Sequence, residues 1–495
     1  MKKILAMLLA VLMVVSLFAG CGDSAEPTKA PTEGTPTEGT PTPTEGTPAE
    51  DEVVTLKWVA VGSGMPANYD AWKANLNAYL EEKIGVHLEM EIIGWGDWDA
   101  RRNMIVSTNE PYDIMFTNNG TFYNDVSIGA FADISGIIET AAPTLYDYIP
   151  ASYWDACRIN DGLYAVPSYK DSSITEYFVY DKALVEATGL DYASAHTMAD
   201  VTPILKALYE AKGEAVFILN QQGMDAIYAA KYDDISSGLP AIGVSYANGE
   251  PKVVSVFEQP DVLADLNTLR EWYQAGYVNS DAAILAEAPS YRPVFVAQGW
   301  SGAAATTWGP QMKVDAVAIQ WGDTTVLSNS SVQGSMNCIS AACKYPEKAL
   351  QLLELVNTDS YVRDALYYGL EGDNFDYVDG KVHKNNADWT MAGYTQGTFF
   401  NVTTLDTDTF NQWDEVKALN ESATPSPILG FCLDTTPIAD DLAACVAIYA
   451  EYRPILMTGT ADPAETIETM LAAMRDAGLD GIIAEAQAQI DAWVG

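Results

Sequence analysis

Strand-like and helix-like patterns alternate from the start of the folded body. Val53 to Val61 (VVTLKWVAV) reads as a strand that runs into a turn at Gly62 to Pro66. Trp72, Leu76, Tyr79 and Leu80 recur at helical spacing and predict a helix over 71–83, ended by Gly85. Val86 to Ile93 alternates as a second strand, 100–108 is a second helix, and Tyr112 to Thr117 is a third strand opening on Asn118-Asn119-Gly120. A β-α-β-α-β order implies a parallel sheet with right-handed crossovers. Ligands of such sheets gather at the carboxyl ends of the strands. The loops there, 62–69, 94–99 and 118–123, carry Trp95, Trp98, Asn118, Asn119, Phe122 and Tyr123.

The pattern changes at residues 161–190. Leu163 to Val166 is a short apolar run that Pro167 stops, because proline has no ladder donor. A polar patch, Ser168 to Ser173, precedes an aromatic and β-branched strand over 175–180. Asp181 is a good N-cap for the helix that follows. This stretch reads either as a crossing from one lobe to a neighbouring one or as a strand-loop-strand inside one domain. Beyond it, helices are predicted over 200–212, 261–275 and 346–357, with strands over 215–219, 314–320 and 338–342. Two more helices start at Asp462 and Asp480. Glycine-rich loops hold Trp300 and Trp308, and Trp389 and Tyr394 lie in a loop-rich stretch.

The N-terminal pattern is of another kind. Lys2 and Lys3 precede an apolar run from Ile4 to Phe18, and Ala19-Gly20 precede Cys21. That is a secretory signal over 1–20, too short for a comfortable membrane span. Residues 21–52 form a linker in which PTEGT recurs at 31–35, 36–40 and 43–47. Proline and acidic repulsion keep such a chain extended, at about 3.1 Å per residue for polyproline-like backbone.

Length then adds an expectation of two lobes, because 495 residues exceed the roughly 250–300 at which one core stops growing. A net charge of −42 argues against nucleic acid as a partner and against broad contact with anionic lipid. Six cysteines are too few for a disulfide scaffold in a chain this long, although Cys338 with Cys343 and Cys432 with Cys445 are close enough in sequence to lie near each other. His87, His196 and His383 are far apart, with no metal-ligand spacing. No phosphate-binding loop, dinucleotide fingerprint or nucleophile elbow is present, so no cofactor is expected. Glycosidase chemistry on a carboxylate pair stays open, since acidic residues abound.

In order along the chain, the cysteine after small residues, EPYDIMFTN (110–118), GLYAVPS (162–168), VYDKALVEATGL (179–190) and YPEKALQLLELVNTD (345–359) resemble the extracellular solute-binding lipoproteins of bacterial ABC importers, of the sugar-binding type. GLEGDNFDYVDGKV (369–382) and AGLDGIIAEAQAQIDAW (477–493) are similar to the LipO-like subgroup. The resemblance covers nearly the whole chain after residue 53. It implies an α/β, two-lobed, periplasmic-binding-protein-like fold of type II, with hinged lobes that each hold a mainly parallel sheet. The lobes would comprise 53–177 with 315–358, and 178–314 with 359–495. It also implies lipidation of Cys21, a place on the extracellular face of the membrane, a permease partner, a monomer and no catalysis. The ligand would be an oligosaccharide; a peptide or other solute, or a secreted glycosidase, are the alternatives.

A sugar cleft needs flat apolar faces for pyranose C–H surfaces and planar polar groups for hydroxyl pairs. Loop residues of those types are Trp95, Trp98, Asn118 and Asn119 from the first lobe, Tyr169 and Asp171 from the crossing, and Trp300 and Trp308 from the second lobe. Glu371 and Asp373 are further candidates.

Overall fold

The computed structural model describes residues 53–495, apart from Ser237 and Asn248. The expected signal segment, Cys21 and the linker lie outside the described residues. In chain order the framing strands are β1 (Val54–Gly62), β2 (Val86–Gly94), β3 (Ile114–Thr117), β4 (Val166–Pro167), β5 (Glu176–Asp181), β6 (Val294–Gln298), β7 (Ala316–Gln320), β8 (Val326–Leu327), β9 (Met336–Ile339) and β10 (Thr424–Pro425). The helices that bear on the site are α1 (Tyr69–Ile84), α2 (Trp98–Thr108), α3 (Asn329–Val332), α4 (Pro346–Thr358), α5 (Ser360–Tyr367), α6 (Gln412–Ser422) and α7 (Ala439–Leu456).

The first sheet runs in the order β2-β1-β3-β9-β4. β1 is buried continuously from Trp58 to Gly62, as befits a strand covered on both faces. It pairs in parallel with β2 on one side and β3 on the other. α1 makes the return between β1 and β2 and buries Trp72, Leu76 and Leu80. It ends at Gly85, whose φ of 64° a side chain would strain. β9 arrives from the far half of the sequence and pairs antiparallel with β3 and β4.

The second sheet has the order β6-β5-β7, and both pairings are antiparallel. The expected mainly parallel sheet is absent there: parallel pairing is limited to single bridges from Phe217 to Val278 and Val294. All six residues of β5 are buried. Helices Met198–Lys212, Pro260–Gln274, Pro463–Asp476 and Leu479–Val494 cover the core around Phe217 and Trp272.

Two large apolar cores give the lobes. One gathers residues from Val54 to Tyr169 and from Leu327 to Met391; the other gathers Phe178 to Val294 and Ile428 to Ile490. The lobes are therefore divided otherwise than expected. β7 belongs to the second sheet rather than the first lobe. Residues 362–391 stay with the first lobe, because α5 follows α4 directly and the Trp72 indole N–H donates to the Ala365 carbonyl at 2.8 Å.

The chain thus passes between the cores three times, at 167–176, 320–326 and near 424–428. The passages lie side by side. Ile174 and Val326 exchange backbone hydrogen bonds of 2.8 and 3.1 Å, and β8 pairs in parallel with β10. Asn420 at the end of α6 accepts from the amides of Ser172 and Ser173 and donates to the Lys170 carbonyl, tying α6 to the first passage.

Candidate functional site

The floor of the candidate site is α3, which follows the second passage. Ser328 and Ser331 close a capping box, each accepting the other's backbone amide. Three adjoining cavities meet this short helix. The largest, about 760 Å³, lies on the second lobe and reaches Ser330. A second, about 310 Å³, is lined by Lys170, Asp171, Gln298, Trp300 and Ser331. A third, about 230 Å³, brings Asn119 and Tyr123 of the first lobe against Asp234 of the second. Gln298 is common to the first two cavities; Asp234 and Ser330 are common to the first and third. Together they form a trough along the lobe junction.

On the first lobe, Trp95 stands in the loop after β2 with 51% of its surface exposed. Its indole lies nearly parallel to the ring of Tyr394, at 6.2 Å between centroids and 11° between planes. Lys170 extends over Tyr394 at 5.9 Å and pairs with the Asp171 carboxylate at 3.1 Å. From the second lobe, the partly buried Trp300 leans on Trp413 of α6 at 5.9 Å, joining the aromatic cluster on which Tyr394 also packs. Glu415 of α6 holds the Trp300 loop by accepting from the amides of Ser301 and Gly302, both at 2.9 Å. A Cβ on Gly302 would come within 2.9 Å of the Phe410 ring, so glycine is what lets the loop approach α6. The Trp300 indole N–H has no hydrogen-bond partner among the described residues.

Of the residues singled out in the sequence, Asp171 and Trp300 line one cavity, Trp95 joins them through Tyr394 and Lys170, and Asn119 lines the neighbouring cavity. The others are placed elsewhere. Trp98 is 7% exposed and packs on Phe116 beneath the first sheet. Tyr169 is 2% exposed, edge-on to Tyr148, Tyr153 and Phe400. Trp308 is 8% exposed, wedged against Tyr177 and Phe295. All three are packing residues. Asn118 closes a turn, its side chain accepting from the Gly120 amide at 3.0 Å. Glu371 and Asp373 sit in the turn before the hairpin 375–384, away from the trough, where Asp373 accepts from Asn68 at 2.7 Å.

The sequence reading missed the walls of the largest cavity. Glu176 at the start of β5 faces it beside Gln298, its register partner on β6. Burial, reinforced by the negative charge of Asp225, pushes the Glu176 carboxyl up to about 7. Arg453 of α7 pairs with Asp225 at 2.6 Å and donates from Nε to the Gln222 carbonyl at 2.9 Å. Tyr228 and Tyr449 complete the wall, and burial pushes both phenols up. Only the run Asn220-Gln221-Gln222 after a predicted strand hinted at this wall. Among the described residues, no three His, Cys, Asp or Glu side chains group to hold a metal ion, and Cys157, Cys338, Cys343, Cys432 and Cys445 form no disulfide.

A carbohydrate ABC transporter substrate-binding protein of Streptococcus pneumoniae serotype 4 is 26% identical over 442 residues, spanning 87% of this chain and 89% of that protein. The crystal structure of the N-glycan transport solute binding protein NgtS from Streptococcus pneumoniae superposes with a TM-score of 0.79 at 24% identity, covering 89% of this chain and 98% of that one. The chain is thus similar to solute-binding proteins of ABC transporters over most of its length. The two-lobed fold extends to more distant members. An HMO binding, ABC-transporter associated solute-binding protein from Bifidobacterium longum infantis matches with a TM-score of 0.63 at 14% identity over 88% of this chain and 98% of that one. A family model described as a domain of unknown function, DUF3502, matches residues 427–495. In this chain that segment begins at the third passage and supplies α7 and the two last helices of the second lobe.

Proposed function

We propose that this protein captures an oligosaccharide in the trough between its lobes and hands it to a membrane permease without altering it. The observation that carries the reading is the exposed face of Trp95, held flat on Tyr394 and linked by Lys170 and Asp171 to the cavity of Trp300. Parallel aromatic faces with carboxylate, ammonium and amide groups at their edges suit the alternating C–H and hydroxyl surfaces of a sugar. The sugar class follows from the relatives: NgtS has been crystallised with Man5GlcNAc and with Man1GlcNAc, at 25% identity to this chain in both cases. An N-glycan-type oligosaccharide is therefore the first ligand to offer.

A lipid on Cys21 would hold the receptor at the outer face of the membrane, as a monomer. Among the described residues no helix is long and apolar enough to cross a membrane, so within them there is no alternative helical anchor. Trp95, Asp171, Trp300 and Asn119, joined by Tyr394, Lys170 and Gln298, are the proposed ligand contacts.

Titration calorimetry of the mature protein against mannose-type glycans, human-milk-type glycans and peptides tests the reading. Saturable binding to a glycan, recovered intact afterwards, supports it. Binding to peptides alone overturns the sugar assignment, and shortened glycans in the recovered material replace capture with glycosidase chemistry.

A further inference from the structure

Resting on the oligosaccharide reading, we propose that Glu176 is a specificity-determining residue: a neutral carboxylic acid that donates a hydrogen bond to an acceptor oxygen of an uncharged sugar in the second-lobe chamber. Capture is then proton-coupled, and acidic glycans are rejected.

Three features of the geometry converge on this. First, Glu176 is 6% exposed, yet it lines a chamber of about 760 Å³, within the roughly 300–1,000 Å³ typical of small-molecule sites. Second, its carboxyl has no ion-pair partner among the described residues. The one guanidinium in the chamber, that of Arg453, is committed to Asp225 and the Gln222 carbonyl. Third, Glu176 sits where the lobes join. Its carbonyl accepts from the Trp321 amide at 2.7 Å, at the start of the second passage, and its own strand begins where the first passage ends.

The charges that face it come from every wall. Asp225 lies beside the turn of helix at 226–229, Asp234 comes from the strand Tyr232–Asp234, and Arg453 from α7. Tyr228, Tyr232, Tyr246 and Tyr449 add hydroxyls that burial keeps neutral. Arg453 is already committed to Asp225, which leaves an ionised Glu176 uncompensated. Closure over a ligand would remove its remaining water and raise that penalty. The carboxyl already titrates near 7 in the unliganded protein, so the proton is available under ordinary conditions. An uncharged sugar offers acceptor oxygens to the acid. A carboxylated sugar brings a further negative charge into a chamber with no free cation among the described residues.

The experiment is calorimetry of the mature protein with a neutral mannose-type glycan at several pH values from 6 to 8.5, repeated with E176Q and with a sialylated counterpart. The expected wild-type affinity falls toward tenfold per pH unit above 7, the slope of one linked proton. E176Q should show a flat profile over that range, and the sialylated glycan should bind at least tenfold more weakly. Buffers of different ionisation enthalpy at pH 8 give a second readout: close to one proton taken up per glycan by the wild type and none by E176Q. A pH profile shared by wild type and E176Q overturns the assignment, as does an affinity that rises with pH or an uptake of protons by E176Q. A wild type that binds glycan with no pH dependence overturns this inference alone. A wild type that binds no glycan at any pH overturns the sugar reading as well.

Discussion

Four tryptophans stand in or beside similar loops, and their surroundings give them different work. Trp95 and Trp98 are three residues apart, yet the first lies open on Tyr394 and the second is the first residue of α2, turned under the sheet onto Phe116. Trp300 and Trp308 likewise flank one glycine-rich segment, and only Trp300 reaches the trough. Local sequence displays the residue type and the loop, while the side of the loop that faces the core is set by contacts far along the chain. Tyr394 and Glu415, which orient Trp95 and Trp300, are roughly 300 and 115 residues away from them. The contrast gives a paired test. Trp95→Ala should weaken glycan binding by roughly 1–2 kcal/mol, the scale of one aromatic contact, and leave the melting temperature nearly unchanged. Trp308→Ala should cost about 3–5 kcal/mol of stability through a core cavity. Calorimetry and denaturant unfolding read the two quantities, and equal stability losses for both variants would dismiss Trp95 as a ligand shelf.

Strands and helices were legible where one face is buried and the period is clean. The β-α-β-α-β opening, the capped helix after β5 and the last two helices all follow their apolar spacing. α7 escaped, although it is 18 residues long, because small apolar residues surround it on all sides and only Cys445, Tyr449 and Leu456 are buried. α5 and α6 escaped because the segment 359–422 reads as turns and polar pairs. That segment nevertheless shapes the site. Arg363 of α5 is fully buried and donates to the carbonyls of Gly393, Gly397 and Thr398, fixing the backbone that presents Tyr394. Desolvation lowers its guanidinium to about 10, still charged at neutral pH. Arg363→Met removes those donors while keeping much of the volume. It should cost at least about 3 kcal/mol, since carbonyls buried without partners are costly. It should also weaken glycan binding, because the Tyr394 shelf under Trp95 loses its support. Unchanged affinity in a destabilised Arg363→Met protein would show that the shelf holds without it.

The three passages are what make one molecule of two cores, and their arrangement limits how the lobes can move. Ile174, β8 and β10 lie side by side as a narrow ribbon, with Asn420 clamping α6 to the first passage. A ribbon of short paired segments bends more readily than either core deforms, because the cores are close-packed. Rotation about the ribbon would change the distance between the Trp95 shelf and the Glu176 chamber. A ligand shifts an open–closed equilibrium only by its differential contacts with the closed form, so contacts from both lobes are required. Small-angle X-ray scattering should therefore show a smaller radius of gyration with saturating glycan, from a starting value of roughly 22 Å for a compact body of this size. Trp300→Ala and Trp95→Ala should each reduce the fraction closed at a fixed glycan concentration. A radius that ignores a glycan proven to bind by calorimetry would mean that capture proceeds on a rigid body, and the hinge would lose its function.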